Sequence, residues 1–134
     1  MKELFVPYEI ALLAKEKGFD KACFGYYLTF GNNELMPVVM AFDEFKPLSY
    51  NVYLSAPLYQ QLVDWFYTKG IDIGVSVSTT GMFQYYIWLI KDDAAKGWER
   101  TGGIYGIESR NLAYIKAFEE AFKLLNGKEN KRNL

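Results

Sequence analysis

The stretch 55–90 constrains the fold of this chain most, because it predicts a helix, an abrupt helix stop and a β-hairpin in direct succession. We predict the helix over 56–69, with Pro57 in its first turn, where the missing N–H of proline removes no helical hydrogen bond. Gly70 follows as the left-handed terminator, and Ile71 is placed to fold back onto the last turn.

The hairpin is predicted from the next two segments. Residues 72–78 alternate between apolar and small or polar side chains, which is the period-two pattern of a half-buried strand. Its apolar members are Ile73, Val75 and Val77. A turn at 79–81 then leads into a long apolar strand over 82–91. Because this turn is far too short for a parallel crossover, the two strands are predicted to be antiparallel.

The N-terminal half predicts a helix followed by a strand pair. The helix covers 7–17, with an apolar stripe on one face, and an aromatic strand follows over 22–30. One face of that strand is predicted to carry Phe24, Tyr26, Leu28 and Phe30. After a turn, the partner strand is predicted over 36–42, and Pro37 restricts it to an edge or a strand start.

The two helices end in nearly the same tetrapeptide, Lys17-Gly18-Phe19-Asp20 and Lys69-Gly70-Ile71-Asp72. An internal repeat would produce such a match. A basic residue in the last turn, a glycine and then an apolar residue form a general helix stop, however, so we interpret the match as one local solution used twice.

Three segments are predicted as connections or short extended pieces. Residues 43–54 form a loop with room for a short extended piece, and the polar segment 92–103 is a mobile connection before a short extended piece at 104–107. The glycine-rich run 102–106 lacks the spacing of a phosphate-binding loop, so we interpret it as a hinge.

The last predicted element is an amphipathic helix over 108–126, which Gly127 ends. The element order is therefore α-β-(β)-α-β-β-α. Antiparallel hairpins with helices on one face give a two-layer α+β domain, with a small antiparallel sheet packed against about three helices. We predict a single domain over 1–127 and a polar C-terminal tail over 128–134.

Composition excludes most common site chemistries. The chain has 134 residues, no histidine, one cysteine and a formal net charge of −1. The absence of histidine removes the commonest general base and the Ser–His and Cys–His nucleophile pairs. We predict no catalytic residue, metal site or cofactor. An enzyme would need chemistry based on carboxylates alone, for which Asp92 and Asp93 are the acidic pair beside a strand end.

Cellular location is also predicted from composition. The single Cys23 allows no internal disulfide and fits a reducing compartment. No run approaches the roughly 20 apolar residues that a membrane-spanning helix needs. We therefore predict a cytoplasmic protein that does not bind membranes.

The informative feature for function is the strand 82–91, because both of its faces are apolar. A sheet that helices cover on one side normally shows one apolar face, so something is expected to cover the second face, which carries Tyr86 and Trp88. Three accounts stay open: another part of the same chain, a subunit interface, or a groove for a ligand, peptide or single-stranded nucleic acid.

Two sequence blocks resemble a known group of proteins. The first is Ala11–Asp20 together with Cys23–Tyr27, and the second is Ser55–Phe66. Both resemble an uncharacterised family of small proteins from gut-bacterial phages and integrated mobile elements. The resemblance covers about half of the chain. It implies a phage or mobile-element origin and no particular activity.

Together these patterns predict a small non-enzymatic binding or assembly module that acts through an aromatic sheet face. The predicted binding residues are Tyr86, Trp88, Lys91, Arg100 and Tyr105. The expected partner is a second copy of the chain, as a homodimer, or another protein. The alternative is an accessory protein that binds single-stranded nucleic acid, which the lack of net positive charge disfavours.

Overall fold

The computed structural model describes residues 2–29, 31–37, 53–90 and 97–132. Within these residues the fold is α+β, as predicted, with three α-helices and six strands in two antiparallel sheets. The elements are, in chain order, α1 (Tyr8–Glu16), β1 (Gly25–Leu28), β2 (Leu35–Pro37), β3 (Tyr53–Ser55), α2 (Tyr59–Thr68), β4 (Ile71–Val77), β5 (Phe83–Ile90), β6 (Trp98–Ile107) and α3 (Arg110–Arg132). The chain divides into two compact units, Met1–Leu62 and Val63–Leu134, which are described in turn.

The first unit contains a three-stranded sheet in the order β2-β1-β3, against which α1 packs through β3. Gly25 and Tyr27 are the buried residues of β1, whereas Phe24 is 41% exposed, and Phe30 lies outside the described residues. The predicted aromatic face is therefore not the buried one. Gly25 faces the interior because the Phe5 ring occupies the space of a side chain at this position. Phe5 Cε1 lies 2.9 Å from where a Gly25 Cβ would be.

Tyr27 also fixes the N-terminal segment to this sheet. Its hydroxyl donates a hydrogen bond to the Val6 carbonyl, and the Val6 N–H donates to the Pro57 carbonyl. Burial, as the largest cause, raises the pKa of Tyr27 to about 12, so the phenol remains a neutral donor over the physiological range.

The two strands that flank β1 agree with the predictions in the residues that the structure describes. β2 is an edge strand, as Pro37 requires, and the remainder of the predicted strand at 38–42 lies outside the described residues. β3 is a short extended piece such as the 43–54 segment has room for, and it ends one residue beyond that segment, at Ser55. The rest of the segment, at 43–52, lies outside the described residues.

The predicted helix stops are confirmed. Gly18 and Gly70 both have left-handed backbone angles, with φ of +95° and +81°. The predicted start of α2 is three residues too early. Leu58 is the residue before the helix, and its N–H donates to the Gln61 side-chain oxygen, which is half of a capping box. Pro57 therefore lies before the helix rather than in its first turn.

The second unit is an antiparallel meander, β4-β5-β6, with α3 packed against all three strands. Its core is aromatic. The Phe66 ring lies 6.0 Å from that of Phe118 and 4.9 Å from that of Phe122, and all three are nearly or fully buried. The Tyr85 hydroxyl donates a 2.6 Å hydrogen bond to the Glu120 carboxylate and so ties β5 to α3.

Two predictions for the C-terminal part are wrong. Residues 98–103 of the expected connection and the whole of the expected hinge at 102–106 belong to strand β6, because the glycine-rich run pairs with β5 and two β-bulges accommodate it. The rest of the predicted connection, at 92–96, lies outside the described residues. Gly127 does not end α3, which continues to Arg132. Gly18 and Gly70 are followed by apolar residues that can fold back, but Gly127 is followed by charged ones, so a helix stop gains nothing there.

The polar tail predicted over 128–134 is accordingly helical as far as Arg132. The single domain predicted over 1–127 stays a prediction.

Candidate functional site

The two faces of the β4-β5-β6 sheet differ in burial. On the face against α3, Tyr85 and Ile87 of the middle strand are 3% and 0% exposed. The opposite face, called the second face below, has no buried member among the described residues. Its members, placed by strand register, are Asp72, Gly74, Ser76, Gln84, Tyr86, Trp88, Ile90, Arg100 and Gly103. The hydrogen bond from the Gln84 amide to the Ser76 hydroxyl, 2.9 Å, confirms this alignment.

Tyr86 lies flat across the neighbouring strand β4. It is directly opposite Gly74, and a Cβ added there would be 2.2 Å from Tyr86 Cε2 and 2.4 Å from Cζ. The ring therefore occupies the space that any side chain at position 74 would need. Gly74 is required here for close approach of an aromatic ring to the backbone, and the contact fixes the direction of Tyr86.

On the other side of Tyr86 the register places Gly103 of β6. The second face is thus raised over β4, where the ring lies, and has no side chain at the matching position of β6. Arg100 reaches toward this position, with its Nη2 3.0 Å from where a Gly103 Cβ would be.

A β-bulge is responsible for the position of Arg100. Trp88 is opposite Arg100 while Ile87 is opposite Gly102, so Thr101 is the extra residue between them. Without a bulge, Arg100 and Gly103 would point to opposite faces, because they are an odd number of residues apart. The bulge brings the guanidinium to the same face as Tyr86 and Trp88.

The resulting row across the sheet is Asp72, Trp88 and Arg100, one residue from each strand. Strands are about 4.8 Å apart, so the acidic and basic backbone positions are separated by roughly 10 Å, with the indole between them. Arg100 is exposed, and Asp72 and Trp88 are partly exposed. The second face therefore presents one aromatic centre between opposite charges.

The structure brings together three of the five predicted binding residues: Tyr86, Trp88 and Arg100. Tyr105 is 68% exposed on β6 but is not paired with either aromatic residue, because it lies at the second register shift of that strand. Lys91 lies outside the described residues, as do Asp92 and Asp93.

Sequence reasoning misses Asp72 and the roles of two glycines. The sequence pattern assigns Asp72 to a helix stop and to the start of a strand, but not to a binding surface. It assigns Gly74 to the small side of a strand, whereas this glycine seats the Tyr86 ring. The one available signal for the bulge is the glycine pair at Gly102 and Gly103, since glycine within a strand often marks a bulge or a close approach.

Two other side chains with reactive groups, Cys23 and Tyr85, are buried within their own units. Cys23 is completely buried in the first unit. Burial, followed by the Glu120 hydrogen bond, raises the pKa of Tyr85, so that its hydroxyl remains a donor. Within the described residues, no group of three or more potential metal ligands is present.

Comparison with protein-family models, curated proteins and solved structures gave no match for this chain. None of the helices in the described ranges is both long enough and apolar enough to cross a membrane.

Proposed function

We propose that this chain is a small non-enzymatic binding or assembly module, acting in the cytoplasm through the second face of its β4-β5-β6 sheet. Its origin in a phage or mobile element is part of the proposal and rests on the two sequence blocks that resemble such proteins. The observation that carries the proposed function is the partly exposed pair Tyr86 and Trp88 on the middle strand, beside Arg100.

The residue types on this face favour a protein partner. Tyrosine, tryptophan and arginine are the residues most enriched at the centres of protein interfaces, where they give large contact area with a polar end. A rigid aromatic side chain loses little conformational entropy on binding. Tyr86 is already held against Gly74, so it meets a partner in a fixed orientation.

Self-association of the full chain is the direct test. Light scattering is measured from about 1 to about 300 µM, the range in which a weak interface is populated. We expect a concentration-dependent increase in mass that Trp88→Ala abolishes. Tyr67→Ala is the matched control, since it removes a 56% exposed aromatic side chain that is on α2 rather than on this face. An increase in mass that survives Trp88→Ala would contradict the proposal, and a strictly constant monomer mass would exclude a second copy as the partner.

A second candidate function is binding of single-stranded nucleic acid. It is favoured by the pairing of Trp88 with Arg100 on neighbouring strands. An arginine can bind a backbone phosphate, and an adjacent indole can stack on a base. Tryptophan fluorescence with an unlabelled oligonucleotide at low salt tests it. A change that weakens with added salt and is lost in Trp88→Ala would favour this candidate, and an unchanged spectrum at low salt would eliminate it.

A further inference from the structure

The second face is complementary to itself for one relative orientation of two copies, both in its charged residues and in the placement of Tyr86 opposite Arg100. We infer that the partner of this face is a second copy of the chain, related by a two-fold axis that runs along β5. This inference rests on the proposed function and adds the identity and the orientation of the partner.

The row Asp72, Trp88 and Arg100 has an acidic residue at one end and a basic residue at the other. A two-fold axis along β5, lying between two facing sheets, places β4 of one copy over β6 of the other. Asp72 of each copy then lies opposite Arg100 of its partner, and the two Trp88 residues lie opposite each other at the axis. An axis perpendicular to β5 would instead set Asp72 against Asp72 and Arg100 against Arg100, so charge selects the first orientation.

The Tyr86 ring supports the same orientation. The ring lies over β4, and at the matching position of β6 the Arg100 guanidinium lies close to Gly103. The axis along β5 places the ring of one copy over this position of the other. The tyrosine ring of the second copy then meets Gly103 and the nearby Arg100 guanidinium, an arrangement that suits a cation–π contact.

The area of the second face sets the expected strength of the contact between two copies. Three strands about 4.8 Å apart, with about seven residues rising ~3.3 Å each, cover roughly 330 Å² per copy. The total for two copies is below the roughly 1,200 Å² at which stable specific interfaces begin, so the contact belongs to the weak, transient class. We therefore expect a dissociation constant of tens to hundreds of micromolar and a dimer that exchanges readily.

Charge reversal tests the orientation. Asp72→Arg sets like charges against each other twice in the dimer, and Arg100→Asp does the same with the opposite sign. We expect each single variant to weaken self-association about tenfold or more, relieved in part by salt. In an equimolar mixture, the introduced arginine of one variant faces the introduced aspartate of the other, and the two native residues face each other. The mixture is therefore expected to associate like the wild type.

Four further variants make the result decisive. The double variant Asp72→Arg/Arg100→Asp restores opposite charges at both contacts and is expected to dimerise. Glu99→Arg is the matched control, because Glu99 is exposed next to Arg100 but shares the α3 side of the sheet with Leu89. If circular dichroism shows a reversed variant to be unfolded, the neutral changes Asp72→Asn and Arg100→Gln replace the reversals. Each neutral change is expected to weaken association, and their mixture recovers part of it, because one of the two native pairs forms.

The outcomes separate this inference from the proposed function. If Trp88→Ala abolishes association but neither reversal changes it, or the mixture fails to associate, the face is a binding surface and the orientation is wrong. If Trp88→Ala has no effect either, the proposed function fails with it.

Discussion

The contact between Tyr86 and Gly74 makes a quantitative prediction about stability. Gly74→Ala adds one methyl group at a site where Tyr86 Cε2, Cζ and Oη would lie 2.2, 2.4 and 2.6 Å away. Carbon atoms prefer separations of about 3.5–4.0 Å, so the ring has to move outward by more than about 1 Å. Tyr86 is partly exposed, which means that the ring can move without shifting the backbone.

The expected change in stability follows from the burial that the Tyr86 ring loses and from its strained rotamer. Leaving the backbone exposes on the order of 50 Å² of apolar surface, worth about 1.2 kcal/mol, and a strained rotamer costs about 0.5–1 kcal/mol more. Alanine in place of glycine within a strand offsets roughly 0.5–1 kcal/mol, because the unfolded chain is less flexible. We therefore expect Gly74→Ala to lower the free energy of unfolding by about 1 kcal/mol.

In a Tyr86→Ala background the clash is absent, and the same glycine substitution is expected to raise stability by about 0.5–1 kcal/mol. The coupling between the two sites is then about 1.5–2 kcal/mol, well above the limit of ~0.5 kcal/mol for independent sites. Urea unfolding of the four proteins, followed by circular dichroism, measures this coupling directly.

Gly103→Ala is the control for this cycle. A Cβ at position 103 would lie 2.9 Å from the backbone oxygen of Tyr85, which cannot move aside. Removing the Tyr86 side chain should therefore not rescue Gly103→Ala. Additive effects of Gly74→Ala and Tyr86→Ala would refute the reasoning, since they would show that the ring does not occupy the Gly74 site.

Three further predictions concern the helices and the core. Gly127→Ala is expected to raise the free energy of unfolding by about 0.5–1 kcal/mol in a urea titration, because Gly127 lies within α3 and has open space at its Cβ position. Gly18→Ala should lower the free energy of unfolding by about 1 kcal/mol in the same titration, because Gly18 has φ +95°. Tyr85→Phe should cost about 1–2 kcal/mol near neutral pH by removing the hydrogen bond to Glu120. Because the pKa of Tyr85 is raised on folding, its contribution is complete below about pH 10 and is lost as pH rises further, so wild-type stability should fall more steeply above pH 10 than that of Tyr85→Phe. Phe66→Ala should cost about 3–5 kcal/mol in thermal or urea unfolding, since it empties the centre of the aromatic core, and a cost below 1 kcal/mol would contradict that packing.

Sequence patterns predict the parts of this fold that local interactions determine. Period-two alternation and a short turn predict the β4–β5 hairpin, and the glycine stops after α1 and α2 are predicted to the residue. The start of α2 is missed because a side chain, Gln61, caps it from inside the helix. The prediction that Gly127 ends a helix fails because no apolar residue follows it, which is the condition that Gly18 and Gly70 meet.

The larger errors of the sequence-based prediction come from strand pairing between residues that are distant in the sequence. Residues 98–107 have the glycine content of a connection, and only their pairing with β5 makes them a strand. The same pairing determines the face on which Arg100 lies, because one extra residue in β6 reverses the alternation. Tyr86 and Trp88 are predicted as a pair from β5 alone, but Asp72 joins them only through the register of β4.

The residues of the second face differ from those of an ordinary solvent-facing sheet. On a sheet that meets only water, polar residues on the middle strand and side chains on its neighbours would shield the backbone. Here the middle strand carries Tyr86 and Trp88, and the positions on either side of Tyr86 are both glycine. Gly74 gives the Tyr86 ring its place over β4, and Gly103 leaves room on β6 for the Arg100 guanidinium. Both glycines are also required for packing, since a Cβ at position 74 would meet the ring and one at position 103 would meet the Tyr85 backbone oxygen. A partly exposed tyrosine and tryptophan beside an arginine are the residue combination expected of a contact surface, which the association measurements test.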